Sequence, residues 1–272
     1  MVTKQSLYVL LCIFTLCNSA EQNKHSLLHD AAVGAVSSTA AMAVYTPCHY
    51  FQNRTIQNLP IDRNPRTWFR GFPALAGGKA PTMAVNLATY NLARTCLAQE
   101  DLAMQELIAA TAAGALSGVV NNSTNLIALH QENTGQSLLR TITKLPARKT
   151  LTRGLGTTVS REILFTQLFL VALQNTKQTI KDNIANDTFA TTIATTFASG
   201  AIIAGTTQPF MVVGAHLYAD MEKKHYKNGV DAARYIFKKS GVKGFYTGAV
   251  YRSVGVMLAI PVLDGVCHQL NN

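Results

Sequence analysis

Long blocks of apolar and small residues alternate with polar, basic stretches along this chain. One block runs from Gly154 to Leu173 and is interrupted by a single adjacent cation–anion pair, Arg161-Glu162. In a helix that rises 1.5 Å per residue, about twenty residues cross the hydrocarbon core of a bilayer. A charged pair at that depth costs several kcal/mol unless it faces a cavity or another helix. The pattern predicts a spanning helix that holds either a functional pair or a buried structural one.

The same framework occurs three times. Pairs of small residues precede Pro47, Ser123 and Pro209 at one common offset, and they are Gly34/Ser38, Ala110/Gly114 and Thr196/Gly200. Small residues four positions apart let helices approach closely in a membrane. A basic polar stretch follows each anchor, and a glycine then opens a second apolar block; these glycines are Gly71, Gly154 and Gly248. We therefore expect three units of two spanning helices, at residues 25–100, 101–186 and 187–272.

Loop charge supports this topology. The loops within the three units, 53–70, 131–153 and 218–247, carry net charges of +3, +4 and +4. The loops between the units, 93–106 and 175–187, carry −2 and 0. Such alternation follows the positive-inside rule for membrane helices. The sequence thus predicts an all-α membrane protein with six transmembrane helices in three repeated units.

Composition narrows the function. Hydrophobic residues make up 48% of the chain and charged residues only 14%, with a net charge of +10. The five cysteines form no C-x-x-C pair, and His25 and His29 lack a third metal ligand. No nucleophile lies near a base, and the basic loops lack the interleaved aromatic residues of nucleic-acid binders. We expect no enzyme, no cofactor, no metal site and no nucleic-acid partner.

Residues 1–24 differ from the remainder. Lys4 precedes an apolar run from Leu7 to Leu16, and small residues and a polar segment follow. This is the outline of a secretory or targeting signal, and an apolar run of ten residues is too short to span a bilayer. A membrane-surface leader is the alternative interpretation.

From about residue 27 onward the chain resembles the mitochondrial carrier family. That family has three repeats, each with P-x-[DE]-x-x-[KR] at the end of its odd helix and aromatic-[KR]-G before its even helix. The third repeat is the most similar, with Gly241-Val242-Lys243-Gly244-Phe245-Tyr246-Thr247-Gly248. The resemblance implies a six-helix barrel, a central solute cavity, a monomer, and cardiolipin at helix termini on the matrix side. The lipid-binding positions implied here are Arg70, Gly71, Arg153, Gly154 and Gly248.

The gate motifs of the family have lost their acidic residues in this chain, although two cations, Arg94 and Lys177, survive. The matrix-side acid–base positions are His49/Gln52, Asn125/Ala128 and Met211/Gly214, from which we expect no salt bridge. The opposite gate, [FY]-[DE]-x-x-[KR], falls at Asn91/Arg94, Gln174/Lys177 and His268/Asn271. Amide hydrogen bonds contribute about 0.5–1.5 kcal/mol and charge-assisted ones about 1.5–3 kcal/mol. Both gates are therefore expected to be weak, and empty carriers to reorient readily.

The family's contact positions fall at Gly78, at Arg161 with Glu162, and at Gly255. An Arg–acid pair at the second position resembles carriers of amino-acid-like substrates: Arg161 would hold a carboxylate and Glu162 an ammonium group. Lys79 and Arg252 are further cations of the even helices. Adjacent helical residues point about 100° apart, so we expect Arg161 and Glu162 to face different neighbours.

Two functions remain open. The first is transport of a small charged metabolite across the mitochondrial inner membrane, with an amino acid favoured and an adenine nucleotide next. The second is a carrier-derived membrane protein that no longer transports and acts by partner binding or insertion. The leader and the Asn-rich, irregular sequence also fit a carrier that an intracellular bacterium delivers to host mitochondria.

Overall fold

The computed structural model describes residues 24–144, 152–172 and 189–271, and every regular element in these residues is helical. Its long helices are α1 (Lys24–Ile56), α3 (Phe72–Cys96), α4 (Leu102–Thr134), α6 (Leu155–Thr166, continued by a π-helical segment Gln167–Ala172), α7 (Phe189–Ala219) and α9 (Ala249–Asn271). Shorter helices follow α1, α4 and α7, namely α2 (Pro65–Trp68), α5 (Leu138–Lys144) and α8 (Gly229–Ser240). A 3₁₀ segment, Val242–Tyr246, leads into α9.

The six long helices form a closed ring. Helix α1 packs against α3, α3 against α4, α4 against α6, α6 against α7, α7 against α9, and α9 against α1. The ring follows chain order, so each helix lies antiparallel to the next. The basic loops with α2, α5 and α8 therefore share one end, which we call the basic end. The predicted architecture of six helices in three pairs is confirmed.

Small residues allow the close helix contacts, as the repeat pattern predicted. A Cβ atom added at Gly114 of α4 would lie 2.5 Å from the Cα atom of Ile163 in α6. One added at Gly200 of α7 would lie 3.0 Å from the Cα atom of Met257 in α9. Any larger residue at these two positions would push the paired helices apart.

Three segments within the described residues are long and apolar enough to cross a membrane: Leu102–Thr134, Phe197–Ala219 and Val242–Val262. Prolines lie inside four long helices, at Pro47, Pro81, Pro209 and Pro261. Proline removes one backbone hydrogen bond and bends a helix, and bent helices can enclose a cavity. Helix α4 has Ser123 where α1 and α7 have proline.

The loop helices were not predicted, because their short apolar faces are hidden among basic residues. Helix α8 begins at Asn228, whose side chain accepts a hydrogen bond from the Asp231 backbone N–H at 2.9 Å. Asp231 lies in its first turn and Lys238 and Lys239 in its last, as the helix dipole favours. Ala232 and Ile236 anchor the helix against the ring.

Candidate functional site

A cavity of about 110 Å³ lies inside the ring, and all six long helices contribute to its wall. Its apolar lining includes Met42, Met83, Phe165, Phe169, Val256 and Ile260. Its polar and charged lining includes His49, Lys79, Asn86, Asn125, Arg161, Glu162 and Arg252. A mostly apolar pocket with a few convergent charges is typical of small-molecule sites. Three cations and one carboxylate, Glu162, surround the middle of this cavity.

Arg161 and Glu162 face each other, so the prediction that they face different neighbours is wrong. Arg161 Nε donates to Glu162 Oε1 at 3.1 Å, and Nη2 donates to the same oxygen. Both residues are buried, at 6% exposure each. The 100° between adjacent residues fixes only the directions of the Cβ atoms. Long side chains can bend back, and a low dielectric strongly favours pairing.

A second helix fixes the position of Glu162. Asn121 of α4 donates its amide to Glu162 Oε1 at 2.6 Å. The Lys79 Nζ atom of α3 lies 3.7 Å from the same oxygen. Arg161 also directs Nη1 at the sulfur of Met211, 3.0 Å away, in α7. Three helices, α3, α4 and α6, therefore contribute to this one carboxylate, and α7 contacts its partner Arg161.

Arg252 differs from the other cavity cations in its partners. Its Nη1 donates to Gln208 Oε1 at 3.3 Å, and its Nη2 donates to Thr207 Oγ1. Arg252 is 5% exposed, yet it has no carboxylate partner among the residues whose side chains the structure describes. A buried guanidinium bonded only to neutral groups has the capacity to bind an anion.

The expected contacts at Gly78 and Gly255 are wrong. A Cβ atom at Gly78 would lie 2.0 Å from Thr124 Oγ1 of α4, and one at Gly255 would lie 2.8 Å from Cys48 Cβ of α1. Neither glycine lines the cavity, and both instead permit close helix packing. The cations near them in sequence, Lys79 one position after Gly78 and Arg252 three positions before Gly255, line the cavity.

The basic end of the cavity is closed by buried polar groups. His49 Nδ1 lies 2.8 Å from Glu132 Oε1, and the Asn53 amide donates to Glu132 Oε2 at 2.7 Å. Gln52 donates to Gln208 Oε1 at 3.3 Å. His49 thus has an acidic partner, Glu132, that lies outside its own gate motif. Glu132 was not expected at this site, because in the sequence it is a single acid within a basic loop.

Asn125, the expected gate residue of the second repeat, lines the cavity and donates to the Asn121 backbone carbonyl at 2.9 Å. At the opposite end, the Arg94 Nη2 atom lies 4.0 Å from Glu106 Oε1, and its guanidinium lies 5.7 Å from the centre of the Tyr90 ring. Asn91 is exposed. Gln174 and Lys177 lie outside the described residues, and so does the side chain of His268. The gate at this end stays a prediction.

Arg153 is used inside the protein. It donates to Asp220 Oδ2 at 3.1 Å and to the backbone carbonyls of Leu217, Tyr226 and Lys227. Asp220 also accepts three backbone N–H bonds, from residues 224–226. Burial raises the pKa of Asp220, but these bonds and Arg153 outweigh it, and the net pKa lies below its usual value. Four of the five N–H donors of Arg153 are therefore used inside the protein, and one remains for a lipid phosphate.

The remaining lipid positions are turns at the basic end. Gly154 and Gly248 have positive φ angles of 76° and 75°, which favour glycine. A Cβ atom at Gly71 would lie 2.7 Å from Glu132 Oε1, so this glycine makes room for the His49–Glu132 pair. Arg70 is exposed. Lipid binding at these four residues stays a prediction.

Within the described residues no group of His, Cys, Asp or Glu side chains can hold a metal ion. The histidines considered for zinc, His25 and His29, have side chains outside that description. Sequence reasoning also missed Asn121 and Thr207, which orient Glu162 and Arg252. The signal for Asn121 was a polar residue recurring on the inner face of an otherwise small and apolar helix.

These features define a class of protein: a membrane barrel of three helix pairs around a small charged cavity. The family model described as mitochondrial carrier protein matches residues 185–262. The chain is 28% identical to mitochondrial glycine transporter A of Danio rerio over 134 residues, which are 48% of this chain and 46% of the transporter. It is 27% identical over 137 residues to glycine transporter B of the same fish, again 48% of this chain and 46% of the transporter.

An uncharacterized mitochondrial carrier of Schizosaccharomyces pombe is 28% identical over 112 residues, which are 40% of this chain and 38% of that protein. Each alignment thus covers less than half the length of the relative it matches. With the six-helix ring, these similarities support a divergent relationship of this chain to the mitochondrial carriers.

Proposed function

We propose that this protein transports a small amino-acid-type metabolite across the mitochondrial inner membrane. The cavity charges carry the proposal. Arg252 is bonded only to neutral groups among the described side chains, while Glu162 lies in the same cavity wall. A solute with a carboxylate at one end and an ammonium group at the other matches both.

In this proposal Arg252 binds the carboxylate of the substrate and Glu162 binds its ammonium group. A planar guanidinium binds a carboxylate through two donors, and each charge-assisted hydrogen bond contributes about 1.5–3 kcal/mol. Arg161 instead positions Glu162, which revises the role expected from the sequence. Among the described side chains that line the cavity, Lys79, Arg161 and Arg252 exceed the one carboxylate by two charges, and this excess favours a solute with at least one anionic group.

The similarity to two glycine transporters supports an amino-acid substrate. Cavity size supports a small one. One buried water needs about 10–15 Å³ of cavity volume. The cavity of 110 Å³ therefore accommodates a compact solute. An adenine nucleotide is the second candidate, because the excess positive charge also suits phosphate groups.

The direct test is uptake of radiolabelled glycine into proteoliposomes, with other amino acids and ATP as competitors. We expect saturable glycine uptake that is weakened about tenfold or more by Arg252→Gln, which removes the charge but leaves a polar side chain at this position. Lys239→Gln, an exposed cation on α8, serves as the control. Uptake of ATP but not of any amino acid would show that the substrate is a nucleotide.

A carrier-derived protein without transport is the other function to test. It is favoured by the loss of charge at Asn125 and Met211, two cavity-floor positions where family members carry acids. Absence of uptake for every solute of the panel, with a correctly inserted protein, would support it. Residence in mitochondria is tested by resistance to carbonate extraction, and delivery there from an intracellular bacterium by a secretion assay.

We also propose that the protein is monomeric and binds cardiolipin at the basic end. The groove between α6, α7 and α8 supports this, since Gly154 and Gly229 lie in its wall at two helix starts. Backbone N–H groups at helix starts bind phosphate. Mass measurement of the intact detergent complex tests both statements.

A further inference from the structure

Lys79 has no place in the binding scheme above, although it reaches the centre of the cavity. It lies on α3 and directs its Nζ atom to within 3.7 Å of Glu162 Oε1. Its side chain is 21% exposed, whereas those of Arg161 and Glu162 are 7% and 8% exposed. Glu162 is already held by Arg161 and by the amide of Asn121 at 2.6 Å. The lysine is thus a second, looser cation on a carboxylate that has one close cation already.

We propose that Lys79 is a tethered counter-ion that occupies, in the empty carrier, the place on Glu162 where the ammonium group of the substrate binds. This inference rests on the proposed function and adds a specificity-determining residue to it. A lysine side chain ends in the same chemical group as a free amino acid, so the two compete for one acceptor.

The geometry makes Lys79 the displaceable partner. A charge-assisted N–H···O hydrogen bond is about 2.7–2.9 Å long, and 3.7 Å is an ion pair without such a bond. The four-carbon stem of lysine is flexible, and it can withdraw along the cavity wall when a substrate arrives. Arg161 cannot do so, because two of its nitrogens donate to Glu162 and a third contacts Met211.

Competition by Lys79 lowers the apparent affinity for the substrate. If Lys79 lies on Glu162 in about nine of ten empty carriers, the apparent Kd rises about tenfold. The same pairing gives the Lys79 ammonium group an anionic partner when no substrate is bound.

The first test is glycine uptake by Lys79→Ala proteoliposomes. We expect the KM for glycine to fall about fivefold to tenfold. Glycolate, which has a hydroxyl in place of the ammonium group, should compete no better than with the wild type. A lysine that binds the substrate carboxylate would give the opposite sign: KM for glycine would rise, glycolate would compete less well, and the proposal would be overturned.

The second test needs no transport and so separates this inference from the proposed function. Methylammonium chloride should raise the thermal unfolding midpoint of purified Lys79→Ala, by about 2–4 °C at ten times its Kd. Sodium chloride at equal ionic strength should not. The wild type, Lys239→Ala and Lys79→Ala/Glu162→Gln should show no such rise. If methylammonium stabilises Lys79→Ala but glycine is not taken up, Glu162 binds an ammonium group and the amino-acid substrate is rejected. If methylammonium does not stabilise Lys79→Ala, Lys79 is not a tethered counter-ion.

Discussion

Two buried arginines flank the start of helix α6, and they differ in what surrounds them. Arg153, just before the helix, is 5% exposed and donates to one carboxylate and three backbone carbonyls. Arg161, within the helix, is 6% exposed and contacts one carboxylate and one sulfur beside an open cavity. Equal burial therefore does not mean equal function.

The two arginines differ in how many of their hydrogen-bond partners are held in place by the backbone. Backbone carbonyls of the segment after α7 are fixed by the fold, so Arg153 joins that segment to the start of α6. Glu162 is a side chain shared with Lys79 and Asn121, and the site around Arg161 can rearrange when a solute binds. An arginine bonded mainly to fixed backbone carbonyls indicates structure, and one that borders a cavity with shared side-chain partners indicates binding.

Replacing Arg153 should have the largest effect. Arg153→Ala leaves Asp220 buried without its cation and three carbonyls without a donor, which costs about 3–5 kcal/mol. We expect the thermal unfolding midpoint in detergent to fall by about ten degrees. Arg140→Ala, at an exposed position of α5, should change it little. Equal midpoints for the two variants would show that Arg153 does not hold the fold together.

Replacing Arg161 should instead affect transport. Arg161→Ala removes the residue that positions Glu162, and the carboxylate is then left to Lys79 and Asn121. We expect glycine uptake to fall roughly tenfold to hundredfold, the equivalent of one charge-assisted contact, with a smaller loss of thermal stability than in Arg153→Ala. Arg161→Lys should be impaired as well, because an ammonium group lacks the planar fork.

Should Arg161→Ala unfold as readily as Arg153→Ala, the contrast between the two arginines would disappear, and Arg161 would be structural. Normal uptake by Arg161→Ala would remove this region from the solute site altogether. Insertion into the membrane must be measured alongside uptake, because only an inserted variant can distinguish the two outcomes.

The fold was more predictable than the site. Block length, small-residue spacing and loop charge each recur three times, and six helices in a ring follow from them. Arg161 and Glu162 were found because a charged pair is conspicuous in an apolar block. The contacts expected at Gly78 and Gly255 were wrong, because the residues that line the cavity are Lys79, one position later, and Arg252, three positions earlier. Spacing from a helix start does not say where a neighbouring helix packs. The partner of His49 was hidden because Glu132 is separated from it by 83 residues.

Glu132, at the basic end of the cavity, is a third buried charge to compare with Arg153 and Arg161. Glu132→Gln keeps the hydrogen bonds to His49 and Asn53 but removes the negative charge from the closed end. Charge-assisted bonds exceed neutral ones by about 1 kcal/mol, so the closed end should open about fivefold more readily. We expect a comparable rise in glycine uptake into liposomes without internal solute.

Glu106→Gln is the matched control for this experiment. Glu106 lies 4.0 Å from Arg94 at the opposite end, and exposed pairs of this kind contribute at most about 1 kcal/mol. Uptake that depends strictly on internal solute in both the wild type and Glu132→Gln would show that other contacts couple the two ends.

The smallest expected effect is the acid sensitivity of the Arg153 site. The folded state holds the pKa of Asp220 below its ordinary value of 3.8, so the folded protein binds fewer protons there than the unfolded chain. The resulting stability is complete above the ordinary value and is lost as the pH falls through the folded-state pKa. The thermal midpoint of the wild type should therefore exceed that of Asp220→Asn by a few degrees at neutral pH. The difference should shrink below about pH 4. Other carboxylates titrate in the same range, but they do so in both proteins and cancel in the difference. A gap that stays constant from pH 7 to pH 3 would mean that Asp220 stabilises the fold by hydrogen bonding alone, with no contribution from its charge beside Arg153.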